Sequence, residues 1–101
     1  MKKASRELQI KDFRLIDAIH ETGQLALAAE QLSISQPAAS RMLAGIERVV
    51  GGTVFDRHPK GMTPTNVGLT LIRNGSNLLN GLDQTLMEIR SLSEGLAGTA
   101  R

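Results

Sequence analysis

The stretch SQPAASRMLAGIERVVGG, residues 35–52, decides how the chain is read. Ser35 has a hydroxyl that can accept a hydrogen bond from a first-turn N–H, so it is a natural helix cap. Pro37 falls in the first turn, where its missing N–H costs nothing. Gly51 can take the left-handed conformation that ends a helix. At about 100° per residue, Gln36, Pro37, Ser40, Arg41, Ala44 and Arg48 fall within about 140° of arc. Ala39, Met42, Leu43, Ile46 and Val50 occupy the opposite side. A core helix needs only the second set, and the first raises the question of what it touches.

Working outward, residues 24–32, QLALAAEQL, place Leu25, Ala28, Ala29 and Leu32 on one helical stripe. The two alanines admit a closely packed neighbour. Ser33-Ile34-Ser35 is the break between this helix and the next, and two short helices joined so tightly read as a helix-turn-helix. Upstream, QIKDFRLIDAIHE (residues 9–21) sets Phe13, Ile16, Ile19 and His20 near one face of a further helix closed by Thr22-Gly23. Downstream, TVFDRHPKGMTPT (residues 53–65) reads as a hairpin. Thr53, Val54 and Phe55 favour one strand, Pro59-Lys60-Gly61 the turn, and Met62-Thr63 the return, with Pro64 confining it to an edge.

Thr65 is placed to cap a long last helix over residues 66–94, about 42 Å at about 1.5 Å per residue. Leu71, Gly75, Leu78, Leu82, Thr85, Ile89, Leu92 and Leu96 recur at alternating spacings of four and three, and Ile72, Leu79 and Leu86 widen the stripe. So small a domain cannot cover that length, and a second copy of the helix is the expected cover. Gly75 lies on the stripe, where close helix contact would explain it; Gly81 has no reason legible in the sequence. The tail EGLAGTAR, with residues 95–101, reads as the end of a helix entering a hinge.

Composition narrows the function. The 101 residues suit one compact domain. Aromatic residues make up only 2%, which argues against a surface that stacks single-stranded bases. The formal net charge is +2, but residues 35–75 concentrate it: Arg41, Arg48, Arg57, Lys60 and Arg73 stand against Glu47 and Asp56. Lys2, Lys3 and Arg6 form a second basic group, expected to fray. With no cysteine there is no disulfide or thiolate metal site. His20 and His58 have no ligand spacing, and no nucleophile–base pair or phosphate-binding glycine loop appears. Neither an enzyme nor a resident cofactor or metal is therefore expected. No apolar run approaches a membrane span and the N-terminus lacks a secretory core, so a cytoplasmic protein is expected.

The polar arc around Arg41 has major-groove chemistry. Gln can bond adenine, and Arg guanine, at two points each; small apolar side chains suit a thymine methyl. A solvated helix face is the plain alternative on this helix alone. The tight preceding turn, the basic hairpin and the long apolar helix together favour DNA. The fold expected is mainly α: a winged helix-turn-helix, with three helices and a short β-hairpin wing, over residues 1–65, followed by the long linker helix. A protein-interaction module working through the long helix is the alternative, but it leaves the arc around Arg41 unused.

The run AAEQLSISQPAASRMLAGIERVVGGTVFDRHPKGMTPTNVG resembles the N-terminal DNA-binding domain of LysR-type transcriptional regulators, in register from Ala28 to Gly68. The resemblance implies recognition-helix contacts from Gln36, Pro37, Ser40 and Arg41, and Ser35, Ala38 and Arg48 are further candidates for DNA contact beside them. It also implies a minor-groove contact from Lys60 and a backbone contact or wing support from Arg57, and His58 is a further wing candidate near phosphate. It implies a homodimer through Leu71, Ile72, Gly75, Leu78, Leu79, Leu82, Leu86 and Ile89, on inverted-repeat promoter sites. RNA polymerase is a partner implied for the full-length protein, whose longer chain would carry a C-terminal effector domain. Gln24 departs from the family pattern, in which a serine often opens the second helix.

Overall fold

The computed structural model describes residues 7–99, with side-chain surroundings from Glu7 to Glu94. Lys2, Lys3 and Arg6 lie outside the described residues, as does the side chain of Leu96. The order is α1 (Ile10–Thr22), α2 (Leu25–Gln31), α3 (Gln36–Val50), β1 (Phe55–His58), β2 (Gly61–Pro64) and α4 (Asn66–Thr99).

Each start and stop has a local cause. The α1 helix opens with the backbone N–H of Gln9 donating to Asp12 Oδ2 at 2.8 Å, and this carboxylate is fully buried. The α2 helix has no side-chain cap at Gln24; the Gln24 N–H instead reaches Thr22 Oγ1 at 3.3 Å. Ser33 turns the chain at φ 59°. The α3 helix is capped as its sequence demands: Ser35 Oγ accepts from Ala38 N at 3.1 Å, and Gly51 closes the far end at φ 75°.

The core sits where α1, α2 and α3 meet. Leu15, Ile16, Ile19, Ala28, Ala29, Ala39, Leu43 and Ile46 are buried there, and Val54 and Phe55 close it from below. His20 does not join this face; it is exposed at the last turn of α1. Helical spacing places it near Ile16, but it borders an open cleft that Gln31, Leu32 and Leu79 also line.

The hairpin pairs Phe55 with Pro64 and His58 with Gly61, antiparallel. It starts two residues later than β propensity suggests. Val54 is fully buried, and its N–H donates to Glu47 Oε2 at 2.9 Å while its carbonyl accepts from Thr65 N at 3.0 Å. Those bonds to α3 and to the start of α4 take the place of a strand ladder. Thr65 is the junction: its hydroxyl donates to Thr53 O at 2.6 Å and accepts from Gly68 N at 3.1 Å.

The 34 residues of α4 make a rod about 51 Å long, within a molecule of 60 × 37 × 25 Å. The first half of this rod is intramolecular. Leu71 and Ile72 pack against the core, Leu79 is buried, and a Cβ on Gly75 would lie 2.6 Å from Phe13 Cδ1. The contacts of Leu71, Ile72, Gly75 and Leu79, expected between two copies, are thus made with the chain's own α1 side. Phe13 is the large residue that demands a glycine opposite it, and its distance in sequence hid the pairing. Beyond Leu82, which is half-buried, the helix leaves the body, and Leu86, Ile89 and Leu92 are 52%, 54% and 66% exposed. The helix also continues past residue 94 as far as Thr99, through the segment read as a hinge.

Candidate nucleic-acid interface

The rotation of α3 about its axis is set by its apolar side. Ala39, Leu43 and Ile46 are at most 2% exposed, so the opposite side must face solvent. Gln36, Pro37, Arg41, Ala44 and Arg48 are all exposed, with Ala38 and Ser40 half-buried at the edge. The residues grouped by helical geometry therefore form one continuous surface. The buried alanines of α2 let α3 lie close against it, with α2 supporting α3 from behind.

The carboxylates adjacent in sequence leave these cations available. Glu47, next to Arg48, is half-buried and spends Oε2 on Val54 N. Arg41 and Arg48 border one open cleft with Lys11, which comes from the first turn of α1. Lys11 was missed in the sequence. It belongs to another element some thirty residues upstream, and its only signal was a positive charge in a generally basic N-terminal region. Gln9 and Asp12 line the same cleft, with the Asp12 carboxylate facing its own helix start.

The wing stands beside the N-terminal end of α3. A shallow groove runs between them, lined by Gln24 and Ala26 of the α2 start, by Gln36, and by Arg57 and His58 of β1. Arg57, His58 and Lys60 are exposed. Beside its loop the wing is held to α1's end: Met62 N donates to Gly23 O at 2.9 Å, and Gly61, at φ 136°, lies so near Gly23 that a Cβ would be 2.5 Å from its carbonyl oxygen. A side chain at position 61 would lift the hairpin away from α1.

His58 differs from its neighbours. Its Nε2 is 2.6 Å from Thr63 Oγ1, and its Nδ1 accepts from Lys60 N at 3.2 Å. Both ring nitrogens are used inside the hairpin, so a neutral His58 has no N–H left for a phosphate. His58 is thus engaged within the wing as well as exposed on it.

Chemically, the surface combines two bidentate-capable side chains, Gln36 and Arg41, with a flanking set of cations on two sides, Lys11 and Arg48 on one and Arg57 and Lys60 on the other. A rigid helix carrying amide and guanidinium groups, flanked by cations, suits a polyanionic duplex with readable edges. Among the described residues no group of three or more His, Cys, Asp or Glu is placed to hold a metal ion, and no helix is long and apolar enough to cross a membrane.

Comparison with known proteins gives a consistent picture. The profile described as bacterial regulatory helix-turn-helix protein, lysR family, matches residues 10–69. The chain is similar to the HTH-type transcriptional regulator GbpR of Azospirillum brasilense, with 36% identity over 92 residues, 91% of this chain and 27% of that one. It is 34% identical over 89 residues to the small neutral protease regulatory protein of Streptomyces coelicolor, covering 88% of this chain and 27% of that relative. It thus spans little more than a quarter of the length of these relatives. Among solved structures, the DNA-binding domain of BenM, in the crystal structure of its complex with catB site 1 DNA, superposes with a TM-score of 0.79, over 85% of this chain and 97% of that one. At 23% identity that likeness is one of fold.

Proposed function

The chain belongs to the lysR family of bacterial regulatory helix-turn-helix proteins, and on that premise we propose how its DNA-binding domain reads duplex DNA. The α3 helix enters the major groove. Gln36 and Arg41 bond base edges, Ser40 a base or phosphate, and Pro37 and Ala38 lie against thymine methyls. Ser35, Arg48 and Arg57 take backbone phosphates, which set register without carrying sequence information. Lys60 reaches the adjacent minor groove from the wing tip.

Two copies joined through the exposed face of α4 at Leu78, Leu82, Leu86 and Ile89 bring two α3 helices to an inverted repeat. The boundaries that fit this reading are a reading head up to residue 65 and an arm over 66–99, the span of α4. The protein works in the cytoplasm, on the nucleoid, as a binder of promoter DNA with no catalytic role of its own. In the full-length regulator it acts with RNA polymerase.

The observation that carries this reading is the division of α3: core on one side, and Gln36, Arg41 and Arg48 presented together on the other. The test is selection from a pool of random duplexes, with sequencing of the retained DNA. The expected result is an inverted repeat with half-sites about one helical turn apart. Single half-sites would remove the dimer. Binding without sequence preference that vanishes in moderate salt would remove base reading altogether.

A further inference from the structure

The wing tip holds a geometry that surface charge does not explain. Because His58 pairs with Gly61, the loop between the strands is Pro59-Lys60. Two-residue hairpins ordinarily use turns with positive φ at a central position, because those follow the strand twist. Proline holds φ near about −65°. Lys60 does not supply the missing conformation either, since Ser33 is the only non-glycine residue with positive φ among the described residues. What remains is an ordinary turn with proline at its second position, which splays the strands it joins.

The His58 side chain supplies what the turn lacks. Its Nδ1 accepts the N–H of Lys60, two residues on, in the way an aspartate or asparagine side chain closes a turn. With Nδ1 accepting, the ring proton resides on Nε2 and is donated to Thr63 Oγ1, 2.6 Å away on the other strand. One neutral ring therefore ties the loop to both strands. The Met62–Gly23 bond holds the hairpin to the body just beyond the loop, which leaves the Pro59-Lys60 turn itself for the His58 side chain to shape.

We propose that His58 is a positioning residue of the wing: through the Lys60 N–H and the Thr63 hydroxyl it holds the Pro59-Lys60 loop, so that the Lys60 cation is presented to the minor groove in one direction. The inference rests on the reading of the wing as a minor-groove contact.

The test uses the whole chain on a duplex recovered by the selection above, with affinities of His58→Ala, Lys60→Ala and the double variant. His58→Ala is expected to weaken binding by on the order of fivefold to tenfold, and to add nothing in the Lys60→Ala background, since a residue acting through another shows full coupling. His58→Asn, whose carbonyl can accept the same N–H, should recover most of the loss. Losses that multiply in the double variant, or a His58→Ala protein that binds like the wild type, would overturn the proposal. The ring can also be followed without DNA: long-range proton–nitrogen spectra of the free chain should show Nε2 protonated and Nδ1 bare, and the opposite tautomer would defeat the idea. A wild-type chain with no sequence preference would instead sink the DNA reading, and the tautomer would still decide the hairpin geometry.

Discussion

The α3 and α4 helices are both amphipathic, and the structure uses their two faces in opposite ways. In α3 the apolar side is consumed by the core and the leftover side is polar: Gln36, Arg41 and Arg48. In α4 the apolar side is consumed only as far as Leu79, and the leftover surface is apolar: Leu86, Ile89 and Leu92. An unused polar face with fork-shaped donors suits a ligand of defined hydrogen-bonding edges. An unused apolar face suits a surface that removes it from water. One repeating pattern thus ends in two kinds of contact, and what separates them is how far the body reaches along each helix.

The sharpest way to break this comparison is to attack the buried side of α3. Ile46→Ala removes a fully buried side chain and should cost about 2–5 kcal/mol in urea unfolding, whereas Arg48→Ala, two positions on, should shift stability by less than about 0.5 kcal/mol. Equal effects would mean that the two faces are not separated as described. Within α4 the glycines offer the same contrast. Gly75→Ala drives a methyl into Phe13 and should destabilise by about 1–3 kcal/mol. Gly81 has open space around its Cβ position, so Gly81→Ala should raise the melting temperature, by up to about 1 kcal/mol of stability.

The two leftover faces separate by readout. Arg41→Ala should cost about 1–3 kcal/mol of binding to a selected duplex, with little change on random DNA and an unchanged melting curve. Ile89→Lys should do the reverse, leaving a half-site affinity intact while raising the dimer dissociation constant by tenfold or more, about 1.4 kcal/mol, in sedimentation equilibrium. A smaller effect sharpens the account of α3 itself. Ser35→Ala removes the cap on Ala38 N and should cost about 1 kcal/mol in thermal unfolding.

Much of the candidate site could be read in advance because its determinants are local. Ser35, Pro37 and Gly51 bound α3 by their own side chains and backbone preferences, and helical periodicity then assigns each of its residues to a face. The wing was less legible. Thr53, Val54 and Phe55 have strand propensity, yet the ladder begins only at Phe55, because Glu47 and Thr65 claim the polar backbone groups of Val54. Lys11 joins the cleft of Arg41 and Arg48 only through the packing of α1 beside α3, which no local pattern encodes.

The sequence by itself determined where α3 begins and ends, which of its sides is polar, and that the long last helix carries more apolar surface than a small body can cover. Tertiary structure decided the division of that surface. Phe13 against Gly75 and the burial of Leu79 assign the first half of α4 to the chain's own core, and the length of the uninterrupted helix carries the second half clear of it. Tertiary structure also decided the partners of His58, since its two nitrogens find Lys60 and Thr63 only once the strands are in register. The physical reason is the same in both cases. Caps and periodicity act within a few residues of chain, whereas the partner of a packed or bridging side chain is set by which distant segment the fold brings within hydrogen-bond or van der Waals reach.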